Sequence, residues 1–479
     1  MISRKMQLFP TDLKDHKVGR AVLYGGIVVV LGSLILSAYF LARPVASRLD
    51  ESWMSVDFRN LREVRLLREY VQINTNADSG SELEGARFLA KQLEEAGITA
   101  TIESLGERRA NLWAIIEGSK RDAVVLHNHI DVSPVLQPDK WTYPPFGGVM
   151  KLPWLYGRGT FDMKSVAIAQ LLAMIDLKRS GVQPERSVIF LATGGEESGS
   201  DLGARWILRQ HPELVERFWG VLTEGGIAEA SSADKIKYWG VEVGQRKYVN
   251  VYLCGESRSQ LENVSWRLRY GSGQPLKGRV TQPIREFLQA WAPTRDHPLL
   301  KSRLQSPDAL ALDAVELDGF PHHIQSLFLS EANPFAVEEL PGSGFQLRVV
   351  LQLLAGADLQ QVRRELLPDW LTHGLTVIVE DPLEGSSFSS LDHPLYLHAE
   401  SVLEDNLSGS GKVGPWILTW SGTDARFFRA VGIPTYGFSP FITLGTFAPQ
   451  IDRANERIAL PGYVAGVEIY AELLRRIAD

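Results

Sequence analysis

Histidines and carboxylates cluster at four places in the chain where a run of apolar residues ends. The clusters span residues 127–131, 157–164, 193–199 and 223–226. Open parallel sheets bind ligands at the carboxyl ends of their strands, so we expect side chains from these clusters to meet at one sheet edge. A histidine and several carboxylates gathered there would supply the nitrogen and oxygen ligands that a hydrolase with two metal ions needs.

The first two clusters each allow a structural alternative. His129 and Asp131 are two residues apart, so an extended backbone would point both side chains the same way. Asp131 could then accept the second ring proton of His129 and fix its tautomer, as it would for a metal-bound histidine. A hydrogen-bonded structural histidine is the alternative. Asp162 stands two residues before a predicted helix and could bind a metal or serve only as the cap of that helix.

Adjacent carboxylates distinguish the third cluster. Glu196 and Glu197 repel each other unless a cation or a proton relieves the repulsion. One of them could bind a metal while the other holds a water molecule as general base, although a solvated acidic turn is the more common meaning of such a pair. In the fourth cluster, Glu224 offers one further carboxylate and indicates little by itself.

The residues around these clusters predict a doubly wound α/β domain. Residues 123–126 and 187–192 are continuous apolar runs, typical of strands buried on both faces of a mostly parallel sheet. Residues 164–179 lie between them and have the length of a crossover helix. Between residues 247 and 382 the pattern differs: strands in which apolar and polar residues alternate occur together with a helix, which predicts a small inserted α/β domain. The larger domain would then consist of residues 55–246 and 383–479.

The composition is that of a folded protein that rests on its hydrophobic core. Of 479 residues, 44% are hydrophobic and 22% are charged, which excludes a disordered chain. The net charge of -7 argues against a nucleic-acid-binding protein, because such proteins show a basic footprint. Cys254 is the only cysteine, so an internal disulfide and a cysteine-based zinc site are both excluded.

Residues 21–42 contain no charge and are long enough to span a bilayer, so we expect one transmembrane helix there. The preceding tail, residues 1–20, is richer in Lys and Arg than the segment just after the span. The positive-inside rule then predicts a cytosolic N-terminus. The catalytic domain would lie on the non-cytosolic side of a single-pass membrane protein, periplasmic or extracellular. A cleaved signal peptide is the alternative.

The order of the motifs resembles the di-zinc metallopeptidase and aminoacylase family of carboxypeptidase S, aminoacylase-1 and glutamate carboxypeptidase. The motifs stand in this chain as HID, WTYPPF, GRGTFDMK, EESG and EGG, followed by GTDAR, YGFSP and NERI. The likeness covers residues 55–479 and is strongest to carboxypeptidase S and the secreted N-acyl amino acid hydrolase/synthase. It implies a metal-dependent hydrolase that cleaves an amide bond next to a free carboxylate, and the span predicted at residues 21–42 would anchor this hydrolase in the membrane. The implied substrates are peptides, as for a carboxypeptidase, or N-acyl amino acids.

The resemblance also implies a role for each matching residue. His129 and Glu224 would bind one zinc ion, Asp162 would bridge both ions and Glu197 would bind the second. Glu196 would be the general base that deprotonates the bridging water, with Asp131 supporting the site, and Arg426 would lie near the substrate carboxylate. The small domain would be the lid and dimerisation domain of the family, which implies a homodimer.

This chain departs from the family pattern at the second metal site. Where the family has a histidine after its F-S-P element, the matching residue here is Asp452. Asp452 could replace that histidine as an oxygen ligand. An all-oxygen site would shift the metal preference from zinc toward manganese or magnesium. Alternatively, Asp452 is a surface residue and the second site is lost.

A second departure lies in the small domain. The family histidine that reaches the active site of a partner subunit has no counterpart in residues 255–260. Arg258 could replace it as a cationic donor to the substrate, or it could be an exposed residue at a strand end. The loss of both histidines leaves open a second function, that of a catalytically impaired ligand-binding or scaffold protein.

Overall fold

The structure is a computed structural model. It describes residues 57–76, 78–232, 235–270, 278–313, 317, 319–320, 322–341, 344–380, 388–407, 410–419, 421–444 and 451–478. The described strands are β1 (Ala100–Ser104), β2 (Ala110–Ile116), β3 (Lys120–His129), β4 (Val149–Lys151), β5 (Trp154–Tyr156), β6 (Arg186–Thr193), β7 (Phe218–Thr223), β8 (Ile227–Ser232), β9 (Lys235–Gln245), β10 (Lys247–Gly255), β11 (Glu331–Glu339), β12 (Phe345–Leu353), β13 (Thr376–Glu380), β14 (Lys412–Leu418), β15 (Thr435–Gly437), β16 (Ile442–Leu444) and β17 (Arg457–Ala459).

The described helices alternate with these strands along the chain. They are α1 (Arg62–Gln72), α2 (Glu82–Glu95), α3 (Lys164–Ser180), α4 (Ala204–Gln210), α5 (Pro212–Val215), α6 (Arg258–Tyr270), α7 (Gln282–Trp291), α8 (Pro298–Leu304), α9 (His322–Gln325), α10 (Leu359–Leu366), α11 (Asp369–Thr372), α12 (Pro394–Asp405), α13 (Ala425–Ala430) and α14 (Leu460–Ala478). Short 3₁₀ turns lie at Phe58–Asn60, Pro138–Lys140, Glu196–Ser198, Ala292–Thr294 and Pro307–Ala309.

The largest sheet corrects the expectation of a mostly parallel one. Within the described residues it has ten strands in the order β1-β2-β6-β3-β7-β15-β9-β8-β16, with β14 beside β9. Only its centre, β6-β3-β7-β15, is a continuous parallel block. The pairs β1/β2 and β8/β9 are antiparallel. Their short connections explain this, because a parallel pair requires a crossover of a dozen residues or more. The fold is therefore α/β with a mixed sheet.

Helices cover both faces of the parallel block. The α3 helix is buried from Lys164 to Ile175 and packs against α14 and α1 on one face. On the other face, Val125, Ile189 and Val221 of the sheet pack against apolar side chains of α4, α5 and α13. Because both faces are covered, the central strands are continuous apolar runs, as the sequence predicted.

A separate four-stranded antiparallel sheet has the order β11-β12-β10-β13. Its β10 strand alternates, with Val249, Val251 and Leu253 buried under α6 and α10 and the intervening side chains more exposed. This alternation is typical of a sheet that is covered on one face only. The α10 and α11 helices are separated at Pro368, which cannot donate a helical hydrogen bond. The division of the chain into domains stays a prediction.

The predicted membrane span is corrected by the structure. Among the described residues, every helix is too short or too polar to cross a bilayer. Residues 21–42, on which the prediction rested, lie outside the described residues. The predictions of a transmembrane helix and of a single-pass location, with a cytosolic N-terminus and a bilayer as partner, therefore find no support in the described structure.

A buried ion pair joins the sheet to α13. The Arg429 guanidinium donates to both carboxylate oxygens of Glu242 on β9, at 2.8 and 2.7 Å. The remaining donor capacity of Arg429 goes to the Thr435 carbonyl and the Ser389 hydroxyl. Both side chains are almost wholly buried. The pair therefore links β9, α13 and β15 through the hydrogen bonds of one guanidinium.

We expect Arg429→Met to lower the free energy of unfolding by about 3–5 kcal/mol, because it leaves the Glu242 carboxylate buried without a partner. Urea unfolding monitored by circular dichroism measures this loss. Arg285→Met is the matched control, because Arg285 forms a similar two-point pair with Asp308 in an exposed position. A loss for Arg429→Met no larger than that of the control would contradict the prediction.

Candidate metal centre

Three neighbouring parallel strands bring the sequence clusters together. His129 ends β3, while Glu196 follows β6 and Glu224 follows β7, on the two sides of β3. Since all three strands run the same way, their carboxyl ends lie at one edge of the sheet. Asp162 reaches the same edge from the loop that precedes α3.

Two groups of side chains at this edge could each hold a metal ion. In the first group, ligand atoms of His129, Asp162 and Glu224 all lie within 4.8 Å of one another. The His129 Nε2 atom is 3.0 Å from Asp162 Oδ1 and 3.7 Å from Glu224 Oε1. In the second group, Asp162, Glu197 and Asp452 satisfy the same 4.8 Å limit. Asp162 belongs to both groups.

The second group contains an acceptor atom that lacks a donor. Glu197 Oε2 accepts a hydrogen bond of 2.6 Å from the Ser133 hydroxyl. Glu197 Oε1 is buried and has no hydrogen-bond partner among the described residues. A buried carboxylate oxygen without a donor is costly, and a divalent cation with oxygen ligands would satisfy it. The residues present therefore fit a metal ion at this place.

Burial and, next to it, the charges of neighbouring groups shift the protonation of both ligand groups. Burial raises the pKa of Glu224 well above its usual value, and repulsion from Asp162 adds to this effect. Burial likewise raises the pKa of Glu197 to about 8, with repulsion from Asp162 next in size. Burial alone would lower the pKa of His129, but Glu224, Asp131 and Asp162 together raise it well above its usual value. In a site with this many acidic groups, a positive charge would stabilise the ionised carboxylates.

Two buried carboxylates hold the turn that carries Glu196 and Glu197. The Asp131 carboxylate accepts hydrogen bonds from the backbone N–H groups of Glu196, at 3.1 Å, and Glu197, at 3.0 Å. The Glu82 carboxylate accepts the N–H of Gly195 at 3.1 Å. Gly195 has a φ of 74° at the start of the turn, which favours glycine. Three successive backbone N–H groups are thus fixed by side chains from other elements.

This arrangement differs from the expected contact between Asp131 and His129. The His129 Nδ1 atom is 2.9 Å from the backbone carbonyl oxygen of Asp131, whereas the carboxylate Oδ1 is 3.6 Å away. The carbonyl still fixes the tautomer of His129, leaving Nε2 to face the acidic groups. The catalytic role of Asp131 stays a prediction.

Sequence reasoning missed Glu82 and the role of Glu456. Glu456 accepts hydrogen bonds from the Arg158 guanidinium at 2.6 Å and from the backbone N–H groups of Phe161 and Asp162, at 3.0 and 3.3 Å. It therefore holds the loop that presents Asp162. The NERI motif signalled Glu456, but Glu82 resembles any acidic residue in the first turn of a helix.

A buried histidine links the three strand ends beneath the acidic groups. The His127 ring lies 2.9 Å from the Thr223 hydroxyl and 3.0 Å from the Thr193 hydroxyl. Burial lowers the pKa of His127 to about 3, so the ring is neutral. It can donate to one threonine and accept from the other, and it thereby ties β3 to β6 and β7.

The two predicted substrate-binding arginines lie in different surroundings. Arg426, at the start of α13, is half-buried and lies 4.6 Å from the Phe427 ring. Its charge acts on Glu196 and Asp424, yet its guanidinium forms no hydrogen bond or ion pair with a described residue. Arg258 is half-exposed at the start of α6 and donates to Glu262 at 2.9 Å. The role of Arg258 and the homodimer stay predictions.

Comparison with known proteins adds a family match. Residues 125–476 match the family described as Peptidase family M20/M25/M40. A curated relative named "Probable succinyl-diaminopimelate desuccinylase", from Staphylococcus aureus (strain MRSA252), is 36% identical over 140 residues, which is 29% of this chain and 34% of that protein. The chain thus matches only about a third of the length of that relative. Aminoacylase-1 of Sus scrofa is 24% identical over 437 residues, covering 87% of this chain and 95% of that protein.

Solved structures share the fold over most of the chain. The M20 family metallo-carboxypeptidase Sso-CP2 from Sulfolobus solfataricus has a TM-score of 0.63 at 16% identity and covers 87% of this chain and 99% of its own. The Bacillus subtilis YXEP protein, described as a dinuclear metal binding peptidase, has a TM-score of 0.52 at 11% identity, covering 88% of this chain and 98% of its own. At these identities the likeness concerns the fold alone.

We expect Glu197→Gln to stabilise the metal-free protein by an amount that grows as the pH rises from about 5 to about 8. The raised pKa of Glu197 means that the folded state keeps a proton which the unfolded chain releases. The stability of the parent therefore falls across this window. Urea unfolding in a chelating buffer at several pH values measures the difference. Glu107→Gln, on an exposed residue, is the control. A difference between Glu197→Gln and the parent that does not change with pH would contradict the prediction.

Proposed function

The chain belongs to peptidase family M20/M25/M40, as its motifs predicted, and on that premise we propose that it is a metal-dependent amide hydrolase. The observation that carries the proposal is the pair of ligand groups that share Asp162 at one sheet edge. The proposed bond is an amide next to a free carboxylate, in a peptide or in an N-acyl amino acid. The similarity to aminoacylase-1 over most of both chains supports this class of substrate.

In this proposal the two groups hold two divalent cations. His129, Asp162 and Glu224 would hold one ion, and Asp162, Glu197 and Asp452 the other. Bound there, the cations would supply Lewis-acid polarisation of the amide carbonyl and acidification of water. The group with a histidine suits zinc, and the group made only of carboxylates suits zinc or a harder ion such as manganese.

Glu196 is the proposed general base. Its carboxyl lies among the charges of His129, Asp424 and Glu224. Burial raises the pKa of Glu196 well above its usual value, and repulsion from Asp424 and Glu224 contributes. A carboxylate with a raised pKa accepts a proton from water more readily near neutral pH. Glu196 would take that proton as the hydroxyl oxygen bonds to the acyl carbon, and would then pass it to the departing amine.

Arg426 is the proposed recognition group for the substrate carboxylate. Its guanidinium lies beside the acidic site, and no described residue pairs with it. A planar guanidinium binds a carboxylate through two parallel hydrogen bonds. Such a contact would orient the amide bond of the substrate toward Glu196.

We expect Glu196→Gln to lower turnover by about 100- to 10,000-fold, because general-base catalysis contributes on this scale. Hydrolysis of a panel of N-acyl amino acids and dipeptides measures the loss, and metal content per chain is determined for the parent and the variant. The variant should keep the metal content of the parent, since glutamine preserves the backbone contacts of the turn. Full turnover in the variant would contradict the role of Glu196. A parent that binds fewer than two ions and hydrolyses nothing would favour the ligand-binding alternative.

We expect Arg426→Ala to raise KM for a substrate with a free carboxylate by about 10- to 100-fold, the scale of a lost charge-assisted hydrogen bond. The same substrate with its carboxylate converted to an amide should show little change between parent and variant. Arg205→Ala is the matched control, because Arg205 lies 5.6 Å from the same Phe427 ring and pairs with Asp201. Equal effects of Arg426→Ala on both substrates would contradict carboxylate recognition.

A further inference from the structure

Ser133 contacts the second ligand group without belonging to it. Its hydroxyl donates to Glu197 Oε2 at 2.6 Å. The other carboxylate oxygen of Glu197, Oε1, is buried and has no hydrogen-bond partner among the described residues. Ser133 itself is only 8% exposed. A neutral donor therefore holds one of the three carboxylates that form the group.

The backbone around Ser133 gives this hydroxyl a defined place. Residues 129, 131 and 133 follow one another at intervals of two at the end of β3. His129 belongs to the first ligand group, Asp131 accepts hydrogen bonds from the turn, and Ser133 donates to the second group. The segment is held from the side, because the Val132 N–H donates to the Thr75 carbonyl at 3.2 Å. Asn76 forms an isolated bridge with Val132 at the same point.

The chemical type of the donor suits a site for a cation. A lysine or arginine at this place would bring a charge that repels a bound metal ion. A serine hydroxyl orients a carboxylate through one hydrogen bond and adds no net charge. By binding Oε2, it leaves Oε1 as the oxygen of Glu197 that is free to act as a ligand.

We propose that Ser133 is a positioning residue of the second metal site, where it fixes the ligand oxygen of Glu197. This inference rests on the proposed function, because it requires an ion between Asp162, Glu197 and Asp452. Its consequence is selective, because loss of the hydroxyl lowers the affinity for the second ion and leaves the affinity for the first ion unchanged. A purely structural role would disturb both sites together.

The test is stepwise metal binding by isothermal titration calorimetry of the metal-free full chain with Zn²⁺ and, separately, Mn²⁺. Ser133→Ala should lower the affinity for the second ion by about 10- to 100-fold, the scale found when a group that orients a metal ligand is removed. The first ion should bind as in the parent, and Ser133→Thr, which keeps the hydroxyl, should restore the second. Ser165→Ala is the matched control, since Ser165 is buried near Asp162 but donates to the Phe161 carbonyl. Equal second-ion affinity in Ser133→Ala and Ser165→Ala would overturn the inference.

Two further variants separate this inference from the proposed function. Asp452→Asn should abolish the second ion; if it binds two ions like the parent, the proposed second site itself is wrong. If Asp452→Asn loses the second ion while Ser133→Ala keeps it, only the inference about Ser133 fails. Ser133→Val provides a second measurement should the alanine variant not fold, because valine has the shape of the threonine variant without its hydroxyl and cannot bind a metal ion. It should also weaken the second ion, and parent-like affinity would overturn the inference.

Discussion

Repulsion between acidic side chains at the ends of β3, β6 and β7 is the constraint on which the rest of this site depends. Two carboxylates about 4 Å apart repel each other by roughly 4 kcal/mol at an effective dielectric constant of about 20. Asp162, Glu197, Glu224 and Asp452 place several such pairs in a half-buried space. Without positive charge, protons must occupy the site, as the raised pKa values of Glu197 and Glu224 indicate.

The surrounding structure holds these groups in place mainly with donors that carry no charge. Backbone N–H groups of the turn bind Asp131 and Glu82, and the Ser133 hydroxyl binds Glu197. The buried guanidinium of Arg158 is paired with Glu456 at 2.6 Å and lies farther from Asp452, at 3.8 Å, so its charge offsets only part of the negative charge of the ligand groups. The site therefore retains an excess of negative charge, which suits a cation. The hydrophobic faces of α3 and the parallel strands provide the rigid support that such crowding requires.

Local patterns predicted the centre of the fold and part of the site. Apolar runs identified β3 and β6, and the motif order singled out His129, Asp162, Glu197 and Glu224, because these features depend on neighbouring residues. The antiparallel edges of the sheet were missed, since strand direction depends on which strands pair, and local sequence patterns do not determine that pairing. Asp452 was found only by counting along a family motif, as it lies 255 residues after Glu197. Glu82 and Ser133 carry no pattern at all, because a single acid or hydroxyl acquires its role only from a partner distant in the chain.

The position of Asp162 in both ligand groups has a thermodynamic consequence. An ion in one group would order the carboxylate that the other group needs, and it would also repel a second cation. The balance of these two effects is a coupling free energy, and linkage requires it to be the same whichever ion arrives first. Occupancy of the two positions would then follow the concentrations of both ions jointly, so a change in the supply of one metal would alter retention of the other.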